Sequence, residues 1–261
     1  MSFRVKHYEI KSEKIQSDLI RMIFLSDLHL TEYGADNKKL LAKIDELRPD
    51  VVLVGGDMVV GKENYSVDVA ERLLCTLAEK YSVYCALGNH ELRMKNKTER
   101  FGQMYQVYYD KLVAGGIHIL DNTSEEFMIG EDVFCVWGLS LPLNNYKRFA
   151  RHELSDGTVK KYLGIADKEK YNILLAHHPR FAQSYFDWGA DLILSGHIHG
   201  GVMRLGKRAV ISPDFQIFPK YGYGHFQEEE KHMLISGGLG EHTVPFRIFN
   251  PKELLCIDIY K

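Results

Sequence analysis

Short apolar runs alternate with amphipathic segments in the first half of the chain. Apolar runs of about four to eight residues predict strands buried on both faces, as in a parallel sheet. Apolar residues spaced three and four positions apart predict helices between those strands. The predicted strands cover residues 22–26, 51–54, 83–87 and 117–120, and the predicted helices cover residues 37–47, 66–80 and 98–114. This alternation of strand and helix is typical of an α/β fold.

The second half of the chain has fewer helical signals and more strand and turn signals. A short helix is predicted near residues 181–187, and residues 146–163 predict a mixture of helix and loop. The predicted strands lie at residues 127–129, 133–138, 173–176, 191–195, 233–236 and 254–259. Both halves together predict two mixed β-sheets packed face to face with helices on the outer faces, an α/β/β/α sandwich. We expect residues 1–261 to form a single domain.

Composition and charge narrow the range of partners and locations. Hydrophobic residues make up 45% of the chain, and the net charge is −2 at pH 7. A chain this close to neutral lacks the positive charge that binding to long nucleic acid requires. No apolar stretch reaches the roughly 18 residues of a spanning helix, and no signal-peptide pattern is visible. We therefore expect a cytoplasmic protein without a transmembrane segment, and peripheral contact with a membrane stays open.

The cysteines predict reduced thiols rather than disulfides or a zinc site. Cys75, Cys85, Cys135 and Cys256 stand far apart in the sequence, and three of them lie in apolar runs that predict strands. No two of them have the spacing of a zinc ribbon or of a redox pair. Buried, reduced thiols are typical of proteins in a reducing compartment.

Five short blocks rich in metal-ligand residues follow five of the predicted strands. They are Asp27-Leu-His29, Gly56-Asp57, Gly88-Asn89-His90-Glu91, His177-His178-Pro179 and Gly196-His197-Ile-His199-Gly200. Because ligands bind beyond the carboxyl ends of parallel strands, we expect these blocks to meet at one rim of the sheets. So many carboxylates and imidazoles exceed the need of one metal ion and are about what two require.

Each block taken alone also has an ordinary structural explanation. Asp57 follows two glycines, where it either bridges two cations through its two oxygens or forms a simple Asx-turn. Asn89 is either a neutral oxygen ligand or a helix cap. His177 and His178 point to opposite sides of an extended segment, so only one of them can readily face the rim. The occurrence of all five blocks at strand ends makes coincidence improbable.

In order and in ligand type, the five blocks resemble the motif series of the calcineurin-like metallophosphoesterases. The resemblance extends over about residues 5–260 and is closest to a bacterial branch of small phosphodiesterase-like proteins. Features shared with that branch are Ser26-Asp-Leu-His29, His199-Gly-Gly201 and a late Gly238-Leu-Gly240 before Pro245. Leu139-Ser-Leu-Pro142 stands where the branch has acidic residues.

The resemblance implies a role for each candidate residue. One divalent ion would be held by Asp27, His29 and His199, and a second by Asn89, His177 and His197, with Asp57 bridging the two. The resemblance selects His177 over His178, and it assigns His90 as the donor of a proton or hydrogen bond to the substrate. Mixed Asp, Asn and His ligation favours Mn, Fe or Zn over Ca, which prefers oxygen ligands alone.

These residues lead to a functional hypothesis with two alternatives. The hypothesis is a metal-dependent phosphoesterase, with a phosphodiester favoured, in which a hydroxide at the dinuclear site attacks a small-molecule or lipid-linked phosphate ester. One alternative is a nuclease or nucleotide phosphoesterase. The other is a catalytically silent scaffold with the same fold, which the presence of His90 and all seven predicted ligands disfavours.

Several further residues are predicted to have structural rather than chemical roles. Arg93 and Arg180 follow ligand blocks and could contact a phosphate, but both are expected to be solvated at the surface. His225 and His242 could line a pocket but are expected to be partly exposed loop histidines. Residues 215–226 could stack a base or lie against lipid, but they are expected to pack a long loop onto the core. Cys135, Trp137 and Trp188 are expected in the core.

Overall fold

The computed structural model describes residues 2–147, 153–206, 208–213, 216–241 and 247–261. The strands are β1 (Arg4–Lys11), β2 (Ile20–Leu25), β3 (Val51–Val54), β4 (Ser82–Ala86), β5 (His118–Leu120), β6 (Thr123–Ile129), β7 (Asp132–Leu139), β8 (Tyr171–Ala176), β9 (Leu192–Ser195), β10 (Met203–Leu205), β11 (Arg208–Ile211), β12 (Gly224–Glu228), β13 (Lys231–Ile235) and β14 (Glu253–Tyr260). The α-helices are α1 (Lys38–Leu47), α2 (Asp68–Ala78), α3 (Asn89–Asn96), α4 (Thr98–Phe101), α5 (Met104–Ala114), α6 (Thr158–Leu163) and α7 (Ala182–Trp188). Short 3-10 segments cover Ala35–Asn37, Leu143–Tyr146 and Pro179–Phe181.

Two six-stranded sheets carry most of these strands. The first sheet has the order β1-β14-β2-β3-β4-β5, and the second has the order β12-β13-β9-β8-β7-β6. Strands β2 to β5 are parallel to one another, and so are β7, β8, β9 and β13. Strand β14 is antiparallel to β2, and the β6–β7 and β12–β13 pairs are antiparallel, so both sheets are mixed.

Three apolar clusters account for the packing of four layers. Alternate residues of the buried strands point to opposite faces, so Leu53 lies between the two sheets whereas Val52 lies on the outer face. Helices α1, α2 and α5 cover the outer face of the first sheet, and α6 and α7 cover that of the second. The predicted α/β/β/α sandwich is therefore confirmed.

The parallel strands place the ligand blocks at one end of both sheets. The loops that follow β2, β3 and β4 leave the first sheet at this end, and those that follow β8 and β9 leave the second sheet beside them. Residues of both sheets therefore share one rim, at the carboxyl ends of the central strands.

Several elements differ from the sequence-based predictions. Strand β1 was not predicted, because it is an edge strand with polar, exposed residues that lack a continuous apolar run. The helix predicted over residues 98–114 is broken into α4 and α5 at Gly102, whose φ of 54° is left-handed. Helix α3 begins directly at the ligand residue Asn89 and carries few apolar residues, so helical periodicity did not indicate it.

The remaining structural predictions have mixed outcomes. The four cysteines are free, and Cys85, Cys135 and Cys256 are buried. Trp137 is in the core, whereas Trp188 is only partly buried and packs edge-on against it. None of the helices within the described ranges is both long and apolar enough to cross a bilayer.

Candidate metal centre

Adjacent ligand loops of the first sheet are joined by backbone hydrogen bonds. The N–H of Asp27 donates to the carbonyl of Gly56 at 3.0 Å, and the N–H of His29 donates to the carbonyl of Asp57 at 3.2 Å. Gly56 has a left-handed φ of 88°, and a Cβ at this position would lie 2.1 Å from the backbone nitrogen of Gly88. Only glycine therefore allows these loops to approach so closely.

Five of the seven predicted ligand residues have strained backbone. Left-handed φ angles between 45° and 69° occur at Asp27, His29, Asp57, His197 and His199. Such angles are uncommon for residues other than glycine and cost about 1–3 kcal/mol each where the region is sparsely populated. Their clustering indicates a site at which side-chain placement outweighs backbone preference.

The Asp57 carboxylate lies at the centre of the ligand residues. Its Oδ2 is 3.1 Å from Nε2 of His177 and 3.9 Å from Nε2 of His29, and its Oδ1 accepts the backbone N–H of His90 at 2.8 Å. His177 comes from the second sheet and His29 from the first, so Asp57 connects ligand residues of both sheets.

A second carboxylate, that of Asp27, lies beside His199 and His177. Its Oδ1 is 3.3 Å from Nε2 of His199 and 3.8 Å from Nε2 of His177. The Nε2 atoms of His29 and His199 are 3.2 Å apart. Imidazole nitrogens this close to one another and to buried carboxylates have the chemistry of a cation site.

The donor atoms form compact groups that fit divalent ions. The possible ligand atoms of Asp27, His29 and His199 lie within 4.8 Å of one another, and so do those of Asp57, His177 and His197. Asn89 contributes a buried Oδ1 that accepts no hydrogen bond from any described residue. An unsatisfied buried oxygen beside two such groups fits a metal ligand.

The possible ligand atoms of His90, His29 and Asp57 also lie within 4.8 Å of one another, but the hydrogen bonding of His90 differs from that of the other two. The N–H of Gly61 donates to Nδ1 of His90 at 2.8 Å. A neutral imidazole that accepts at Nδ1 carries its proton on Nε2, so the Nε2 of His90 is a hydrogen-bond donor rather than a lone pair for a cation. Burial lowers the pKa of His90, which favours this neutral form.

The two histidines after β8 differ in their surroundings. His177 donates from Nδ1 to the carbonyl of Gly55 at 2.6 Å, which leaves Nε2 directed at the carboxylates. A carbonyl that fixes the ring in this way is common for histidines that bind metal. His178 is buried, but its Nδ1 accepts the backbone N–H of Arg180, and it belongs to none of the possible ligand groups among the described residues.

The electrostatics of the site favour the metal-binding protonation states of Asp57, His29 and His197, whereas His177 favours a proton. Burial opposes ionisation of Asp57, but His177 and His90 lower the pKa of its carboxyl well below the usual value. Burial lowers the pKa of His29 to about 3 and that of His197 well below its usual value. Burial also disfavours protonated His177, but the adjacent Asp57 carboxylate raises its pKa to about 9. A bound cation would take the place of that proton.

An open cleft of about 330 Å³ gives access to these residues. Its walls include Lys62, Tyr65, Arg93 and Tyr146. Arg93 was predicted to be solvated at the surface, and this prediction is wrong. It lines the cleft and donates to the carbonyl of Gly61 at 3.3 Å, because α3 continues directly from the ligand residue Asn89. Arg180 is only partly exposed.

Two positioning residues were not identified from the sequence. Buried Glu91 accepts the backbone N–H groups of Asp57, Met58 and Gly88 at 2.8–3.0 Å. The position of Glu91 in the block Gly88-Asn89-His90-Glu91 could have indicated this role from the sequence. Arg247 lies 2.9 Å from Nδ1 of His199 and donates to the carbonyls of Gly237 and Gly240. No local sequence pattern connects Arg247 with His199, 48 residues earlier.

The aromatic segment before β13 also differs from its prediction. His225 lies on strand β12 rather than in a loop, and its Nε2 is 2.9 Å from Nδ1 of His232. Tyr223 is buried as predicted, but Phe218 is exposed instead of packing onto the core. His242 and Phe215 lie outside the described residues.

Comparisons with known proteins agree with the fold. The family model of calcineurin-like phosphoesterases matches residues 20–201. A metallophosphoesterase of Aquifex aeolicus is 26% identical over 268 aligned positions, which cover 98% of this chain and 91% of the relative. The phosphodiesterase YaeI of Escherichia coli is 24% identical, over 71% of this chain and 62% of its own.

Among solved structures, the fold is similar to that of a Staphylococcus aureus protein described as a candidate 5′-nucleotidase. The two chains superimpose with a TM-score of 0.51 at 13% identity, over 85% of this chain and 49% of the other. With the family model matching more than half of the chain, these findings establish that the chain belongs to the calcineurin-like phosphoesterases, a family of metal-dependent hydrolases.

Proposed function

We propose that this protein is a phosphodiesterase that uses two divalent metal ions to hydrolyse a small-molecule or lipid-linked phosphate ester. The observation that carries the proposal is the position of Asp57, whose Oδ2 lies 3.1 Å from Nε2 of His177 of the second sheet and 3.9 Å from Nε2 of His29 of the first. A carboxylate between two groups of histidines is suited to bridge two ions about 3.5–4 Å apart.

The ligand residues divide into two sets around Asp57. Asp27, His29 and His199 would hold one ion, and Asn89, His177 and His197 would hold the other. Mn, Fe and Zn suit this mixture of carboxylate, amide and imidazole donors. Two ions held in this way supply activation of water near neutral pH and neutralise charge on the phosphoryl oxygens.

His90 would act on the substrate rather than on a metal. With its proton on Nε2, it can donate a hydrogen bond to a phosphoryl oxygen, or a proton to the leaving oxygen. Its backbone N–H bonds Oδ1 of Asp57, so the donor and the central carboxylate are held in a fixed relationship.

Two cations on the wall of the cleft would bind the phosphate group. Arg93 and Lys62 both line the cleft, and an arginine can bind two phosphate oxygens at once. The preference for a diester is supported by the similarity to the phosphodiesterase YaeI.

Replacement of the central carboxylate tests this proposal. Asp57→Asn should lower bound metal from two ions towards one or none and reduce turnover of an aryl phosphodiester at least about 100-fold. Metal content would be measured by elemental analysis after reloading with Mn, Fe or Zn, and Asp187→Asn, an exposed aspartate on α7, is the control. Full activity in Asp57→Asn would contradict the two-metal proposal.

Substrate preference is tested separately from the metal site. The wild-type protein would be assayed on aryl phosphodiesters, aryl phosphomonoesters and mononucleotides. Faster hydrolysis of the diester supports the proposal, whereas a mononucleotide as the best substrate would favour a nucleotide phosphoesterase instead. Metal binding without turnover of any of these esters would favour the scaffold alternative.

A further inference from the structure

A small sheet beside the metal cleft presents a row of apolar side chains. Strands β10 and β11 are antiparallel, and Met203 pairs with Ile211. Ile211 also pairs with Ile217, and Met203 also pairs with Ile248. Ile248, Met203, Ile211 and Ile217 therefore lie side by side across four segments. Directly paired residues project from the same face of a sheet, so the four side chains form one row.

One face of this small sheet packs on the protein and the other is open. We call it the rim sheet, which comprises β10, β11 and residues 216–218 and 247–249. The paired residues Arg204 and Ala209 are buried, and a register shift in the pairing between Met203 and Arg204 puts Ala209 on the opposite face from Ile211. The guanidinium of Arg204 lies 3.7 Å from the ring centroid of Tyr223. Because side chains alternate along a strand, Leu205 projects outward with the apolar row. Ile217 is 73% exposed.

Each outer segment of the rim sheet carries an Ile-Phe pair. Phe218 follows Ile217 and Phe249 follows Ile248, and the two phenylalanines are 62% and 76% exposed. Both have left-handed backbone, with φ angles of 48° and 52°. This conformation is a rare and costly one for a bulky residue. Packing against the described chain therefore does not explain why phenylalanines occupy these two positions.

The exposed apolar residues are concentrated on the rim sheet. Twelve large hydrophobic side chains are exposed among the described residues, and six of them belong to it. These six are Leu205, Ile211, Ile217, Phe218, Ile248 and Phe249. Contiguous exposed apolar surface on a globular protein marks an interaction site.

Positive charge borders the apolar row. Arg208 pairs with Leu205 and projects from the same face. Arg208, Lys6 and Lys220 line a neighbouring cleft of about 710 Å³ that reaches Phe218. Its described lining residues include no aspartate or glutamate. Apolar side chains bordered by basic ones complement the surface of an anionic lipid bilayer.

We propose that the rim sheet docks this protein onto anionic membranes. Phe218 and Phe249 would enter the interfacial layer, and Arg208, Lys6 and Lys220 would lie near the lipid phosphates. Pro213, which follows β11, and Glu241 both line the metal cleft, so docking brings the opening of the cleft to the membrane surface. The proposal stands apart from the identity of the substrate, because it rests on surface residues outside the metal centre.

Sedimentation with lipid vesicles tests the docking surface directly. The wild-type protein should bind vesicles of phosphatidylcholine mixed with phosphatidylglycerol, bind pure phosphatidylcholine vesicles far less, and dissociate as salt is raised. The double variant Phe218→Asn, Phe249→Asn should weaken binding about tenfold or more. Asparagine is suitable because it removes the apolar ring and tolerates left-handed backbone.

Two further variants test the role of the basic residues and control for the loss of any exposed apolar side chain. Arg208→Glu with Lys220→Glu should reduce binding to the anionic vesicles at least about tenfold. Met128→Asn is the matched control, since Met128 is 65% exposed near the end of β6, at the opposite end of the sheets. This control should bind as the wild type does.

The outcomes distinguish this proposal from other uses of the surface and from the catalytic proposal. Equal binding to neutral and anionic vesicles, or unchanged binding by the double phenylalanine variant, would overturn it. A third outcome would also overturn it: the protein does not bind vesicles but forms a dimer, and the phenylalanine substitutions dissociate that dimer. The face would then join two copies of the chain. Asp57→Asn should bind vesicles normally, and the phenylalanine variant should hydrolyse a soluble aryl ester normally, so each proposal can fail alone.

Discussion

The carboxylate of Glu91 accepts the backbone N–H of Asp57 at 2.9 Å, so Glu91 positions the loop that carries the Asp57 carboxylate. The same carboxylate accepts the N–H of Gly88, which precedes the ligand Asn89. Glu91 therefore joins the loops after β3 and β4 while remaining outside the ligand groups. Such supporting residues affect metal sites strongly even though they do not touch the metal.

We expect Glu91→Gln to weaken metal binding roughly 10–100-fold. Glutamine retains the size of the side chain but replaces one acceptor oxygen by an NH₂ group, which faces backbone donors and leaves at least one of them unsatisfied. Isothermal titration with Mn²⁺ measures the effect, and Glu126→Gln on β6 is an exposed control. Wild-type metal affinity in Glu91→Gln would show that this carboxylate does not position the loop of Asp57.

Substitution of His90 should separate catalysis from metal binding. His90→Ala is expected to lower kcat about 100-fold to 10,000-fold, because a positioned donor is lost at the phosphoryl group or the leaving oxygen. Metal content should stay near that of the wild type, since the backbone N–H that bonds Asp57 remains. Elemental analysis and steady-state kinetics test both parts, and a variant that loses its metal would identify His90 as a ligand.

The sequence predicted the layers and the rim because both depend on local patterns. Buried parallel strands have continuous apolar runs, as in Val51–Val54, and ligand residues that follow such runs must emerge at the same end of a sheet. Strand β1 escaped prediction because its pairing with β14 depends on residues more than 240 positions away, and its own sequence is mostly polar. Long-range partners are set by packing and have no local signal.

The same reasoning explains which site residues were and were not predicted. The ligand candidates are next to strand ends, whereas the contact between Arg247 and His199 joins residues 48 positions apart and depends on tertiary structure. Arg93 was misplaced because α3 has few apolar residues, so the face that it turns towards the cleft could not be identified. The exposed rings of Phe218 and Phe249 also depend on tertiary structure, because aromatic residues in loops more commonly pack inward.

Removal of metal should lower the melting temperature of the wild-type protein. A ligand at 100 times its Kd stabilises the folded state by about 2.7 kcal/mol, which for a chain of this size corresponds to a shift of roughly 5–10 °C. Scanning calorimetry with and without a chelator measures this shift, followed by readdition of Mn²⁺ or Zn²⁺. In Asp57→Asn the shift should be smaller, and an equal shift in both proteins would place the stabilising ion elsewhere.

The buried thiols should resist alkylation until the protein unfolds. Burial raises the pKa of Cys85 and Cys135 above the usual value and that of Cys256 to about 11, so little reactive thiolate is present at neutral pH. Iodoacetamide should modify these three only slowly in native protein and rapidly in urea, as followed by mass spectrometry. Cys75 is less buried and should react first among the four. Rapid native labelling of Cys85 would contradict its burial in the core.

Asp132 should stabilise the fold in a pH-dependent manner far from the metal centre. Burial works to raise the pKa of its carboxyl, but hydrogen bonds with Ser17 and Gln16 together hold it below the usual value. A depressed pKa in the folded state means that the stabilisation is present above the unfolded value near 4 and is lost as the pH falls through the folded value. Asp132→Asn should therefore cost about 1–3 kcal/mol at neutral pH, with the difference from wild type shrinking below about pH 4. Urea unfolding of both proteins at several pH values, with metal removed, measures this difference. If the difference in the free energy of unfolding stayed constant down to low pH, ionisation of Asp132 would be excluded as its cause.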